Sequence, residues 1–81
     1  MAKADPAATL PRRAYTQAAG LDLYALHDTV IPCDGRGVKV RTGLMFALPP
    51  EHYGQLKARS GHTFTHNLHV GAGVIDTDYR G

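Results

Sequence analysis

The segment Val70-Gly71-Ala72-Gly73-Val74-Ile75-Asp76-Thr77-Asp78-Tyr79-Arg80-Gly81 gathers glycines, a carboxylate and an aromatic ring. Gly71, Gly73 and Gly81 bracket the β-branched pair Val74 and Ile75, the pattern of a tight turn feeding a short strand whose backbone a ligand can approach closely. Asp76 follows that apolar pair, so two readings stay open: a partly desolvated carboxylate suited to general-base work, or a turn acid at a strand end. Arg59-Ser60-Gly61 offers a guanidinium fork, a hydroxyl and a Cβ-free backbone at one corner, a set suited to phosphate oxygens. If Ser60 caps a short helical turn, exposed N–H groups strengthen that anion site; the plain alternative is a Ser-Gly turn beside a surface arginine. Asp22, between Leu21 and Leu23, faces away from both on an alternating strand, as a solvent-facing acid would. His62, His66 and His69, at spacings of four and three, would gather zinc or stand as loop histidines; no carboxylate or cysteine joins them.

The elements that must position these residues read as short strands. Residues 1–13 are rich in alanine and proline without periodicity, the mark of an extended arm or disordered leader, and residues 14–81 form the remaining unit. Leu21-Asp22-Leu23-Tyr24-Ala25-Leu26 partly alternates, Thr29-Val30-Ile31 is β-branched, and Pro32-Cys33-Asp34-Gly35-Arg36-Gly37 is a turn. Val38-Lys39-Val40-Arg41 alternates strictly. Gly43 marks a bulge before Leu44-Met45-Phe46-Ala47-Leu48, an apolar run of the length of a fully buried strand, which Pro49-Pro50 ends. Tyr53-Gly54-Gln55-Leu56-Lys57-Ala58 is a further strand leading into Arg59-Ser60-Gly61, and residues 62–67 form one helical turn or an irregular loop. Short strands punctuated by glycine and proline predict an all-β sandwich or barrel.

Composition sets outer bounds. A chain of 81 residues holds at most one domain and buries only roughly 60 to 65% of its unfolded surface, so association with other subunits would help it. Hydrophobic content of 43% with 20% charged residues fits a folded protein. The net charge of +2, from dispersed basic residues, suits a small anionic ligand better than nucleic acid. One cysteine, Cys33, allows no internal disulfide and fits a reducing, intracellular setting, cytoplasmic or nuclear. Neither a signal peptide nor a membrane span is expected from the apolar pattern.

Three segments, Ala19-Gly20-Leu21-Asp22-Leu23-Tyr24-Ala25, Ala58-Arg59-Ser60-Gly61 and Gly73-Val74-Ile75-Asp76-Thr77-Asp78-Tyr79-Arg80-Gly81, resemble in order and separation the first three motifs of the trimeric dUTP diphosphatases (dUTPases). Ala8-Thr9-Leu10-Pro11-Arg12-Arg13 is similar to the approach to motif one. The resemblance implies a jelly-roll-like β-barrel, assembled as a homotrimer with active sites shared between subunits, that hydrolyses dUTP to dUMP and pyrophosphate with Mg2+. It implies that Asp76 activates the attacking water, that Arg59, Ser60 and Gly61 bind phosphates, and that Asp22 helps organise the magnesium through water. It also implies that Gly71, Ala72, Gly73, Val74 and Ile75 form the hairpin that reads uracil through main-chain groups, and that Tyr79 packs under the deoxyribose and leaves no room for a 2′-hydroxyl. Asp78 receives no role, and His62 replaces the apolar residue usual after Arg-Ser-Gly.

The family's fourth and fifth motifs, an R-I-A-Q-type phosphate-binding strand and a glycine-rich C-terminal arm, have no counterpart here, so the barrel is expected to be incomplete at the C-terminus. Two alternatives follow. A non-catalytic dUTPase-fold interaction module, or inactive fragment, would fold yet fail to bind dUTP; a related dCTP deaminase would release ammonia from dCTP, though the Gly-Val-Ile-Asp-x-Asp-Tyr-Arg-Gly form points to the uracil enzyme.

Overall fold

The structure, a computed structural model, describes residues 1–34 and 36–80. The turn expected at 32–37 therefore includes one residue, Gly35, outside the described set, as is Gly81 of the last motif. The chain divides into two compact units, Met1–Phe46 and Ala47–Gly81.

In the first unit, β1 (Ala2–Lys3) pairs antiparallel with β2 (Leu44–Met45), Ala2 opposite Met45 and Lys3 opposite Leu44. Gly43 makes this junction possible. Its carbonyl accepts the N–H groups of Ala4 and Asp5 at 2.8 and 3.2 Å, and its φ of 71° lies in the left-handed region. A Cβ there would stand 3.0 Å from the Ala8 Cβ and 3.2 Å from Leu26 Cδ1. Asp5 closes the next turn: its carboxylate accepts the Ala7 N–H at 2.8 Å and its carbonyl the Ala8 N–H at 3.0 Å. Ala8, 3% exposed, is the buried hydrophobic residue around which these turns close. Farther on, Arg12 and Asp22 form an antiparallel bridge, with the Asp22 N–H donating to Arg12 O at 2.9 Å, and Arg13 donates to the Ala18 carbonyl.

In the second unit, β3 (Gly54–Gln55) pairs antiparallel with β4 (Val74–Ile75), Gly54 opposite Ile75 and Gln55 opposite Val74. The ladder continues through the Leu56 N–H, which donates to Gly73 O at 2.8 Å. Between the strands lies α1 (Ser60–His66). Asn67 ends α1 in the left-handed conformation, φ 53°, its N–H donating to Thr63 O at 3.0 Å while the Leu68 N–H donates to His62 O at 3.3 Å. The Thr63 hydroxyl donates to Leu68 O at 2.9 Å and ties the helix to the chain that leaves it.

Most described residues lie outside regular elements, and the strands that form are shorter than the sequence pattern predicts. Regular strands do not form at 21–26, 29–31 or 38–41, the run at 44–48 keeps strand geometry only at Leu44–Met45, and that at 53–58 only at Gly54–Gln55. A strand persists only as far as a neighbour bonds to it, and each sheet here has two strands with two paired positions apiece. The apolar run at 44–48 is one-sided, not fully buried: Leu44, Phe46 and Leu48 are half-buried while Met45 and Ala47 are exposed. Among the described residues no closed barrel forms, and the stretch left open as one turn or a loop is a seven-residue helix.

Candidate functional site

β3 and β4 position most of the residues singled out in the sequence. From β3 the chain continues through Leu56, Lys57 and Ala58 into Arg59-Ser60-Gly61, while Gly73 leads directly into β4, so the ladder sets the glycine segment beside the approach to the Arg-Ser-Gly corner. A depression of about 300 Å³ lies between them, lined by Gln55, Lys57, His69, Val70, Gly73 and Val74, with Leu56 and Ala58 completing its wall. A second, of about 280 Å³, is lined by Arg59, Gly61, His62, Thr65 and His66.

The glycines of this region are held for different reasons. A Cβ on Gly73 would sit 2.6 Å from the Leu56 carbonyl oxygen, a main-chain atom that cannot give way, so the β3–β4 ladder itself demands glycine there. A Cβ on Gly61 or Gly71 would meet nothing within 4 Å. Gly71 and Ala72 form an exposed bend, open to an incoming group. The Gly73 carbonyl is engaged by Leu56, while the main-chain groups of Gly71 and Ala72 hold no hydrogen bond among the described residues.

Asp76 follows β4 and is solvent-exposed, not partly buried as its apolar neighbours suggest. On this strand only Ile75 turns inward; Val74 is 65% exposed, so no apolar pair covers the carboxylate. The Asp76 carbonyl accepts the Tyr79 N–H at 3.1 Å, which folds residues 76–79 into one turn with the carboxylate and the phenol ring at its two ends. Thr77 anchors that turn by donating its hydroxyl to the His52 carbonyl. Tyr79 is 59% exposed and is not packed as a core ring. Neither Asp76 nor Tyr79 lines the two depressions just described.

The Arg-Ser-Gly corner differs from the capped turn considered for it. Arg59 occupies the N-cap position with extended geometry, φ −71° and ψ 137°, and no side chain caps the helix; Ser60 is its first residue. The Arg59 guanidinium and the Ser60 hydroxyl are both exposed. Asp22 lies in the first unit, half-buried, and its N–H is fixed by Arg12 O while its carboxylate holds no hydrogen bond among the described residues. His69 does not join His62 and His66: its ring nitrogen bonds Asn67 Oδ1 at 2.9 Å, and among the described residues no group of three histidine, cysteine or acidic side chains converges as a metal site.

Sequence reasoning missed Gln55 and Lys57. Both line the larger depression, and both are exposed while Leu56 and Ala58 are half-buried. The period-two alternation after Gly54 was the signal that could have found them, since it puts an amide and a cation on one face of the strand that leads to Arg59.

The sequence profile of the family described as dUTPase matches residues 6–81. A deoxyuridine 5′-triphosphate nucleotidohydrolase of Debaryomyces hansenii is 47% identical over 74 residues, which are 91% of this chain and 46% of that protein. The mitochondrial protein of the same name from Homo sapiens is 49% identical over 74 residues, 91% of this chain and 29% of that protein. The counterpart from Yaba monkey tumor virus is 39% identical over 79 residues, 98% of this chain and 54% of that protein. The chain thus spans about half the length, or less, of these relatives.

Proposed function

The chain belongs to the dUTPase family, and from that membership we propose that it carries the first three motifs of a dUTP diphosphatase, which hydrolyses dUTP to dUMP and pyrophosphate and so limits uracil in DNA. The observation that carries this reading is the family match over residues 6–81, which spans all three motif segments, supported by relatives whose names specify a deoxyuridine triphosphate. The family fold is β-rich; the proposed complete form is a jelly-roll-like barrel, with residues 1–13 as an arm, residues 14–81 as a partial β-domain, and a homotrimer whose active sites are each built from more than one subunit. An intracellular setting suits this substrate. No helix among the described residues is long and apolar enough to cross a membrane.

In this reading Arg59 forks onto phosphate oxygens, with the Ser60 hydroxyl and the unobstructed backbone at Gly61 beside it. Lys57, on the strand that leads there, adds a second cation. Uracil meets the open bend at Gly71 and Ala72, where N–H and C=O groups remain free to match its amide edge, while Gly73, Val74 and Ile75 hold that bend against β3. The Tyr79 ring lies against the deoxyribose and fills the place of a 2′-hydroxyl. From the other end of the same turn, the Asp76 carboxylate orients a water and takes its proton as the water attacks the α-phosphorus; the bond to the bridging oxygen breaks and pyrophosphate departs.

The donor set fits Mg2+ brought by the nucleotide and not caged by protein: no cluster of three ligating side chains forms among the described residues, and magnesium characteristically keeps waters and binds through one or two carboxylates plus substrate phosphates. Asp22, its carboxylate unengaged among the described residues, would hold that hydrated ion through water. When bound, the ion neutralises charge on the phosphoryl oxygens. Pyrophosphate release from dUTP tests the proposal: Asp76→Asn is expected to lower turnover about 10²- to 10⁴-fold, and undiminished turnover would remove Asp76 from the mechanism.

A further inference from the structure

We propose that His62 and His66 form a two-nitrogen chelate on α1 for a divalent transition-metal ion, Cu2+, Ni2+ or Zn2+. Residues four apart on a helix stand one above the other on the same face. Here the two rings meet, with centroids 5.8 Å apart and planes inclined by 31°. The rings of His52 and His69 are hydrogen-bonded, to Pro50 O and Asn67 Oδ1, whereas those of His62 and His66 hold no such bond among the described residues and are exposed. Both line the 280 Å³ depression, so an ion reaches them from solvent.

The backbone beneath the pair is fixed. His62 O accepts the Leu68 N–H, Thr63 O accepts the Asn67 N–H, and the Thr63 hydroxyl bonds Leu68 O, so the C-terminal turn of α1 is tied down around both histidines. Rotation of two exposed side chains is then all that is required to bring a nitrogen of each ring to about 2.0–2.1 Å from a shared ion. Imidazole nitrogens suit copper, nickel and zinc, while magnesium takes oxygen ligands and does not compete. With His69 engaged elsewhere, the chelate stays open, its other positions filled by water. Arg59, in the same depression, adds a positive charge that weakens cation binding, so an anion completing the coordination sphere strengthens it. Nothing in this site depends on the dUTP reading.

Calorimetric titration of the full chain with Ni2+, on a Cys33→Ser background that removes the exposed thiol, tests the proposal without nucleotide. One ion per chain is expected, bound more tightly when Cu2+ replaces Ni2+ and more weakly as the solution is acidified, because imidazole must shed its proton to ligate. His62→Gln and His66→Gln should each weaken binding at least about tenfold, the least that loss of even an outer-shell partner costs in established sites. His69→Gln should leave it unchanged. Combining His66→Gln with Phe64→His keeps the histidine count but breaks the four-residue spacing, and binding should remain weak. Undiminished affinity in either single variant, rescue by the relocated histidine, loss on His69→Gln, or displacement by millimolar Mg2+ would each overturn the chelate.

Discussion

Gly71 and Gly73 are two residues apart and look equivalent in the sequence, yet they answer to different constraints. At Gly73 the missing side chain serves the fold, because a methyl group would press on the Leu56 carbonyl at 2.6 Å. Gly73→Ala is therefore expected to destabilise by about 1–3 kcal/mol, the usual cost of overpacking a fixed contact, read as a lower midpoint in urea. Gly71→Ala meets open space and should change stability by no more than about 0.5 kcal/mol while weakening dUTP binding, measured by nucleotide titration. Equal effects of both substitutions on stability would refute the distinction. The glycine pattern was legible in the sequence; the division of labour was not, since it depends on which glycine faces β3. The exposure of Asp76 was hidden for a related reason: two apolar neighbours in a row suggest cover, but strand alternation turns Val74 outward and leaves only Ile75 inward.

Among the elements, α1 is fixed mainly at its C-terminal end, with no side-chain cap at its start. Asn67 holds the left-handed cap that lets the main chain bond back to Thr63 and His62. Asn67→Gly should retain the helix within a few tenths of a kcal/mol, whereas Asn67→Val, β-branched at positive φ, should cost about 1–2 kcal/mol in urea unfolding. Indifference to valine would show that the cap does not hold the helix. Punctuation was the readable part of these elements: Gly43, expected as a bulge, departs from regular strand geometry with a φ of 71°, and Pro49-Pro50 leads into a turn in which the His52 N–H donates to Pro49 O. Strand length was not readable, because periodicity reports which face of an extended segment is apolar and not whether a neighbour bonds to it. Residues 38–41 alternate strictly and still form no regular strand.

At the scale of the whole molecule, apolar side chains far exceed the surface available to cover them. Val30 is 87% exposed, Tyr15 68% and Phe64 89%, against one buried hydrophobic residue among those described, Ala8. A small chain that buries so little apolar side chain on its own gains from association with other chains. Light scattering across a dilution series is therefore expected to show self-association, with the mass of a trimer under the proposed function. Monomers at every concentration would rule out an active site shared between subunits. The bridge between Arg12 and Asp22 has a different consequence, one of vulnerability to cleavage. A trypsin-like protease cutting after Arg13 would leave Asp22 in the larger fragment, yet release β1 from β2 and free the carbonyl that pins Asp22. A nick after that exposed arginine pair would thus unfasten the main chain at Asp22, nine residues downstream, without touching it.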